Sequence, residues 1–176
     1  MTIYLCSIGK ALTPEIEVLK AQLPQVLRAG VETAQPHSLA VPEQAFSRRR
    51  NQYHSTMLLM WADAKIPRGQ RPLLALTEVD LFVEGLNFVF GEADPGRRVA
   101  IVSTHRLRWS YGGGAVPPGQ YESRLVKEAV HELGHVFGLG HCPDPGCVMY
   151  FSNSILDTDR KGKDFCPRCR AKLSGR

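Results

Sequence analysis

Two groups of residues near the end of this 176-residue chain have the types and spacing to hold metal. The first runs His131-Glu132-Leu133-Gly134-His135 and continues through Gly138 to His141. Two histidines four residues apart on a helix project from adjacent turns, so one ion can sit between their imidazoles. On a wheel of about 100° per residue, His135 falls about 40° from His131, and Glu132 about 100°. Leu125, Val126, Ala129, Val130, Leu133, Val136 and Phe137 lie on the other side. The pattern is therefore an apolar face to bury and a histidine face to use. Gly138 tolerates the left-handed backbone that ends a helix, and the turn would bring His141 round as a third ligand. Three His with one open position is the donor set of a catalytic zinc. Glu132, beside the metal without ligating it, is placed to take a proton from water that zinc acidifies. Gly134 costs roughly 1 kcal/mol against Ala inside a helix. That cost predicts a close approach of backbone or substrate at this residue.

The second group is Cys142, Cys147, Cys166 and Cys169, leaving Cys6 alone near the start. Four thiolates suit a closed, tetrahedral, structural zinc, so the two groups together predict two Zn2+. An odd cysteine count clustered late in the chain does not look like a secreted disulfide framework. Met1 to Lys10 has no basic segment before an apolar core and no cleavage site, and it reads as a strand. The expectation is a reducing, cytoplasmic setting, with Cys6 a buried strand residue. Because the chain opens on its first strand, no inhibitory pro-segment is expected. A narrow substrate range, a shallow cleft or an unknown partner would then have to restrain an intracellular hydrolase of this kind.

The run from His131 to His141, followed by Cys142, Cys147, Met149 and the Cys166–Cys169 pair, resembles the archaemetzincins, a family of metzincin metalloproteases. The stretch Leu86 to Ala93 is also similar to that family. The resemblance implies a compact fold with a twisted mixed sheet, an active-site helix and a C-terminal subdomain. It implies a catalytic zinc on His131, His135 and His141, with Glu132 as general base. It implies a second zinc on the four cysteines, and Met149 as an apolar base beneath the catalytic zinc. Tyr150 directly follows that Met and is a candidate to reach a transition-state oxyanion. Phe88 and Phe90 are candidates to bind substrate, because Leu86 to Phe90 reads as the sheet edge along which a peptide would lie.

The elements needed to position these residues follow from patterning. Ile3–Ile8, Val31–His37, Leu73–Val79, Leu86–Phe90 and Val99–Ser103 read as strands. Thr13-Pro14 caps a helix that runs to about Leu27, with Pro24 a kink and Gly30 a stop. Tyr53 to Ala64 reads as a second helix, and Tyr121 to Phe137 as the helix that carries the histidines. Tyr111 to Gly119 is a flexible loop. Beyond Gly138 no helical period appears until after Pro167. The expected fold is α+β, α/β-like in its N-terminal part. One metalloprotease domain is expected over residues 1–176, divided into 1–138 and a zinc-stapled 139–176.

Hydrophobic residues at 43% and charged residues at 22% exclude a disordered chain. No apolar run is long enough for a membrane helix. The formal charge of +5 keeps two alternatives open, a three-His metal-dependent endoribonuclease and a zinc-containing module that binds nucleic acid or protein. Arg48-Arg49-Arg50 and the stretch with Arg106, Arg108 and Trp109 are the candidate basic patch. His37, His54 and His105 have no assigned role. The favoured reading is a zinc peptidase, a selective peptidase or aminopeptidase acting on peptides as a monomer.

Overall fold

The computed structural model describes residues 1–175. β1 (Thr2–Ile8), α1 (Thr13–Leu27) and β2 (Gly30–Leu39) lead into two short strands, β3 (Phe46–Ser47) and β4 (Gln52–His54). Then come α2 (Ser55–Lys65), β5 (Leu73–Thr77), β6 (Leu81–Phe82), β7 (Gly91–Asp94) and β8 (Val99–Ser103). Three helices complete the chain: α3 (Pro118–Val136), α4 (Ile155–Arg160) and α5 (Pro167–Ser174).

The main sheet has the order β2-β1-β5-β8-β7. Its first four strands are parallel neighbours, and β7 runs antiparallel to β8 at the edge. Both faces are covered, which is why β5 and β8 are buried along their whole length. Ile3, Leu5, Leu74, Leu76, Ala100 and Val102 pack toward one core with α1 and α3. Cys6, Ile8, Leu73, Ala75, Val99 and Ile101 point the other way, onto α2. Cys6 is thus a buried strand residue, and burial pushes its thiol up to about 12. A second small sheet, β3-β4-β6, flanks the first. The α+β architecture expected from sequence is the one observed.

The apolar run Leu86–Phe90 is not a strand. Only Val89 makes a bridge, to Leu81. Gly85 turns the chain with φ +84°, and Phe90 drops into the core. The edge strand is instead β7, directly downstream. Its sequence Gly-Glu-Ala-Asp is half-buried throughout and carries no apolar alternation. The α1 helix passes through Pro24 uninterrupted and stops at Arg28, whose φ is 52°, while Gly30 opens β2. The short α4 had no visible period. Its capping box, Ser154 with Asp157, was the readable signal.

Candidate active site and zinc centres

The site is built on α3. Leu125, Val126, Ala129, Val130, Leu133 and Val136 all enter the core, as the wheel requires. Gly138 takes φ +79° and turns the chain back over the helix. The Leu139 carbonyl then accepts from His135 Nδ1 at 2.8 Å, and the Val148 carbonyl accepts from His131 Nδ1 at 2.8 Å. A carbonyl can only accept, so each neutral ring carries its proton on Nδ1 and leaves a lone pair on Nε2. The two Nε2 atoms are 3.1 Å apart. Facing lone pairs at that distance need a cation between them. The ligand atoms of His131, His135 and His141 all lie within 4.8 Å of one another. Ligands at the usual zinc–nitrogen length would be about 3.3 Å apart in a tetrahedron, so the donor set fits the ion.

Electrostatics agree with ligation. Burial pushes His131 down to about 3, and burial also lowers His135 and His141. All three rings are therefore neutral donors near neutral pH. Glu132 is pushed well above the usual carboxylate range, first by burial and then by the charge of Glu128, with Glu92 adding to it. Both Glu132 and His131 line a cavity of about 250 Å³.

Met149 packs against Gly134 of α3. A methyl group on Gly134 would collide with Met149 Sδ and stand 3.2 Å from Phe165 Cε1. The close approach expected at Gly134 is real, but a thioether and an aromatic ring make it, not backbone or substrate. The Met149 carbonyl accepts from the Cys142 N–H at 2.9 Å, which ties the two metal groups together.

The four cysteines are unbridged, and their sulfurs also lie within 4.8 Å of one another. Cys142 Sγ and Cys166 Sγ are 3.8 Å apart. Thiolates about 2.3 Å from a tetrahedral zinc would be separated by about 3.8 Å. A hydrogen bond from the Cys169 backbone leads the causes that bring the Cys166 thiol down to about 7. Arg168 Nη2 donates to Cys142 Sγ at 3.5 Å. Burial raises the Cys147 and Cys169 thiols, so Cys166 is the member of the cluster already disposed to thiolate charge.

Phe88 and Phe90 line the same cavity as Glu132, with their rings 5.2 Å apart and edge to face. Tyr150 does not line it. Phe151 does, and its ring meets that of His141 at 4.8 Å. Sequence reasoning also missed Glu128, one turn before Glu132 on the cavity wall, and its buried partner Lys161. Half of the expected basic patch is engaged, while Arg48 and Arg49 stay exposed. Arg106 forks onto Asp80 at 2.7 and 2.8 Å, and Arg108 meets Glu15 at 2.6 Å. His37, His54 and His105 join neither metal group.

Comparison with known proteins decides among the chemistries this geometry allows. Residues 12–175 match the family model described as peptidase family M54. The chain belongs to peptidase family M54. The M54 chain is 48% identical over 143 residues to the archaemetzincin of Pyrococcus furiosus, spanning 78% of this chain and 74% of that one. The crystal structure of the Archaeoglobus fulgidus archaemetzincin superposes with a TM-score of 0.82 at 38% identity, covering 98% of this chain and 99% of that one. A zinc-dependent peptidase from Methanocorpusculum labreanum gives 0.84 at 32% identity, covering 97% and 99%. The M54 chain is a zinc metallopeptidase, with a three-His group for a catalytic zinc and a four-Cys group for a structural one. The endoribonuclease and pure binding-module readings give way to it. No helix among the described residues is long and apolar enough to cross a membrane.

Proposed function

We propose that the M54 chain cleaves a restricted set of peptides, with Glu132 as general base and His131, His135 and His141 as the catalytic zinc ligands. The reading rests on one observation above others. The Nε2 lone pair of His131, which lines the same cavity as Glu132, faces that of His135 at 3.1 Å. Zinc in such a site supplies Lewis acidity, lowering the pKa of water and polarising the scissile carbonyl. Glu132 takes the proton of the attacking water and hands it to the leaving amine. Its buried setting favours a carboxylate that gains and loses a proton rather than one permanently ionised.

The outer edge of β7 offers unpaired backbone to an extended peptide, which would lie as one more strand. The cavity beside it, walled by Phe88 and Phe90, takes a single substrate side chain, and its small volume supports selectivity. Met149 acts as the apolar base of the catalytic site. Cys142, Cys147, Cys166 and Cys169 hold the structural zinc that fixes residues 139–176 against 1–138. All ligands come from one chain, which supports a monomer, and four cysteines without a disulfide suit the reducing cytoplasm.

The test is Glu132→Gln. Metal analysis should still find about two zincs per chain, while hydrolysis of a peptide library is lost. Hydrolysis that persists undiminished in this variant would remove Glu132 from the mechanism. Matched peptides with free and acetylated N-termini separate exopeptidase from endopeptidase cleavage.

A further inference from the structure

A second cavity, of about 520 Å³, adjoins the catalytic one and shares Phe88, Phe90 and Asn153 with it. Arg106, Trp109, Tyr111 and Ile155 line its remainder. The catalytic cavity, at about 250 Å³, has room for one side chain. A bound peptide must therefore place its other side chains outside that cavity, and the adjoining one is the nearest enclosed space along the same wall.

Its outer wall is aromatic, exposed and held in place. Trp109 is 48% exposed and Tyr111 is 74% exposed. The Trp109 carbonyl accepts from Nη1 of the buried Arg124 at 2.9 Å, and Trp109 bridges to Ala115. Between them the chain closes a tight turn. The Ser110 N–H donates to the Gly114 carbonyl at 2.6 Å, and the Gly114 N–H donates to Ser110 Oγ at 3.0 Å. Gly113 supplies the left-handed residue, with φ +90°. A single exposed apolar side chain is ordinary. Two aromatics on a hydrogen-bonded turn, both facing one cavity, have the character of a binding surface, because Trp and Tyr give large contact area at low cost in conformational entropy.

The inner wall is fixed independently. Both oxygens of Asp80 hold Arg106 in a fork, and its guanidinium lies 4.2 Å over the Phe88 ring. Phe88 in turn meets Phe90 edge to face. Asp80 answers the charge of Arg106, so the guanidinium serves this wall as a flat plate for stacking more than as a free cation. Such a plate, with Phe88, Trp109 and Tyr111 around it, matches an aromatic side chain better than an acidic one.

We propose that this cavity is a second specificity subsite, in which Trp109 and Tyr111 hold an aromatic side chain of the peptide substrate. The inference rests on the peptidase reading above and narrows its substrate class to peptides with Phe, Tyr or Trp at a set distance from the cleaved bond. In an extended peptide, side chains on one face are two residues and about 7 Å apart. One of them fills the catalytic cavity beside Glu132 and belongs to a residue flanking the cleaved bond. The next on that face enters the adjoining cavity, so its residue does not flank the bond.

The test is hydrolysis by the zinc-loaded chain of matched peptides carrying Phe or Ala at successive positions on each side of the cut. At one position that does not flank the cut, kcat/KM for Phe should exceed that for Ala by about tenfold or more. That ratio should fall to near one in the Trp109→Ala, Tyr111→Ala double variant, whose zinc content and thermal midpoint report that it is folded. Isothermal titration of the same peptides into Glu132→Gln reads the preference without turnover. Preferential binding of the Phe peptide there, with no hydrolysis by the wild type, would refute the peptidase reading and uphold the subsite. Equal treatment of Phe and Ala at every position away from the cut, in both measurements, overturns the subsite. So does a preference that survives in the folded double variant, which would place the aromatic side chain elsewhere.

Discussion

Lys161 Nζ lies 2.9 Å from Glu128 Oε1, and the two side chains are 0% and 3% exposed. Thr158 Oγ1 donates to the same oxygen at 3.0 Å. This pair joins the segment after α4 to the active-site helix one turn before His131 and Glu132. Burial pushes Glu128 up, but the charges of Lys161 and His131 and the hydrogen bonds of Lys161 and Thr158 together outweigh it and hold the carboxyl below the usual range. Removing one partner of a buried pair leaves a bare charge and costs about 3–5 kcal/mol. Lys161→Met is expected to lose stability of that order in urea denaturation of the zinc-loaded protein. Adding Glu128→Gln should recover much of the loss, because no isolated charge then remains. Equal stability of the single and double variants would show that the charge is not the cause.

Arg124 and Asp159 give a pH signature. Arg124 is 1% exposed and donates from Nε and Nη2 to the two Asp159 oxygens at 2.6 Å each. Hydrogen bonds from Arg124 are the leading cause that holds the Asp159 carboxyl below its ordinary 3.8. A carboxyl depressed in the folded state stabilises fully above the unfolded value and loses that contribution as pH falls through the folded one. The Asp159→Asn variant should therefore be less stable than wild type at pH 7. Its thermal midpoint should fall less steeply below about pH 4, so the two curves converge in acid. Parallel curves across that window would remove Asp159 from the acid response.

The three-histidine group was legible because its geometry is local. Helical periodicity and one glycine bring His131, His135 and His141 together, and no long-range contact is needed to foresee it. The cysteines were legible from residue type and count. The edge strand was not, since half-buried Gly-Glu-Ala-Asp lacks the alternation that marks a strand with one dry face. Phe88 and Phe90 were expected on the sheet edge, and they line the cavity from a loop instead. The Glu128–Lys161 pair was unreadable. Nothing in the local pattern around either residue tells that both are dry, and only the packing of α4 on α3 makes them partners. The reason for Gly134 was likewise tertiary, because Met149 fills the space a side chain would need.

That packing makes Gly134→Ala a sharp test of the Met149 assignment. In an isolated helix the change would gain roughly 1 kcal/mol. Here the added methyl meets Met149 and Phe165, and overpacking of this kind costs about 1–3 kcal/mol. The variant should be less stable, and it should release its catalytic zinc to a chelator faster while keeping the four-cysteine zinc. A more stable protein with unchanged zinc release would mean that Met149 moves aside freely and does not brace the site.

Gly91 does the same for Glu132, the proposed general base. It opens β7 opposite Val102, and a methyl there would stand 2.7 Å from Glu132 Cγ and 2.8 Å from Glu132 Oε1. The carboxylate cannot stay where it is with a side chain at 91. A displacement of about 1 Å at a catalytic group can cost a hundredfold in rate. Gly91→Ala is expected to retain both zincs and lower kcat by about ten- to a hundredfold, with a smaller effect on KM. The same methyl also meets the Ile101 carbonyl, so some stability will be lost through the β7–β8 pair. The ratio of the two effects is informative. Lost stability with kcat intact would mean that the glycine serves only strand pairing and that Glu132 tolerates displacement. Loss of kcat with zinc content intact would place the constraint on the base itself.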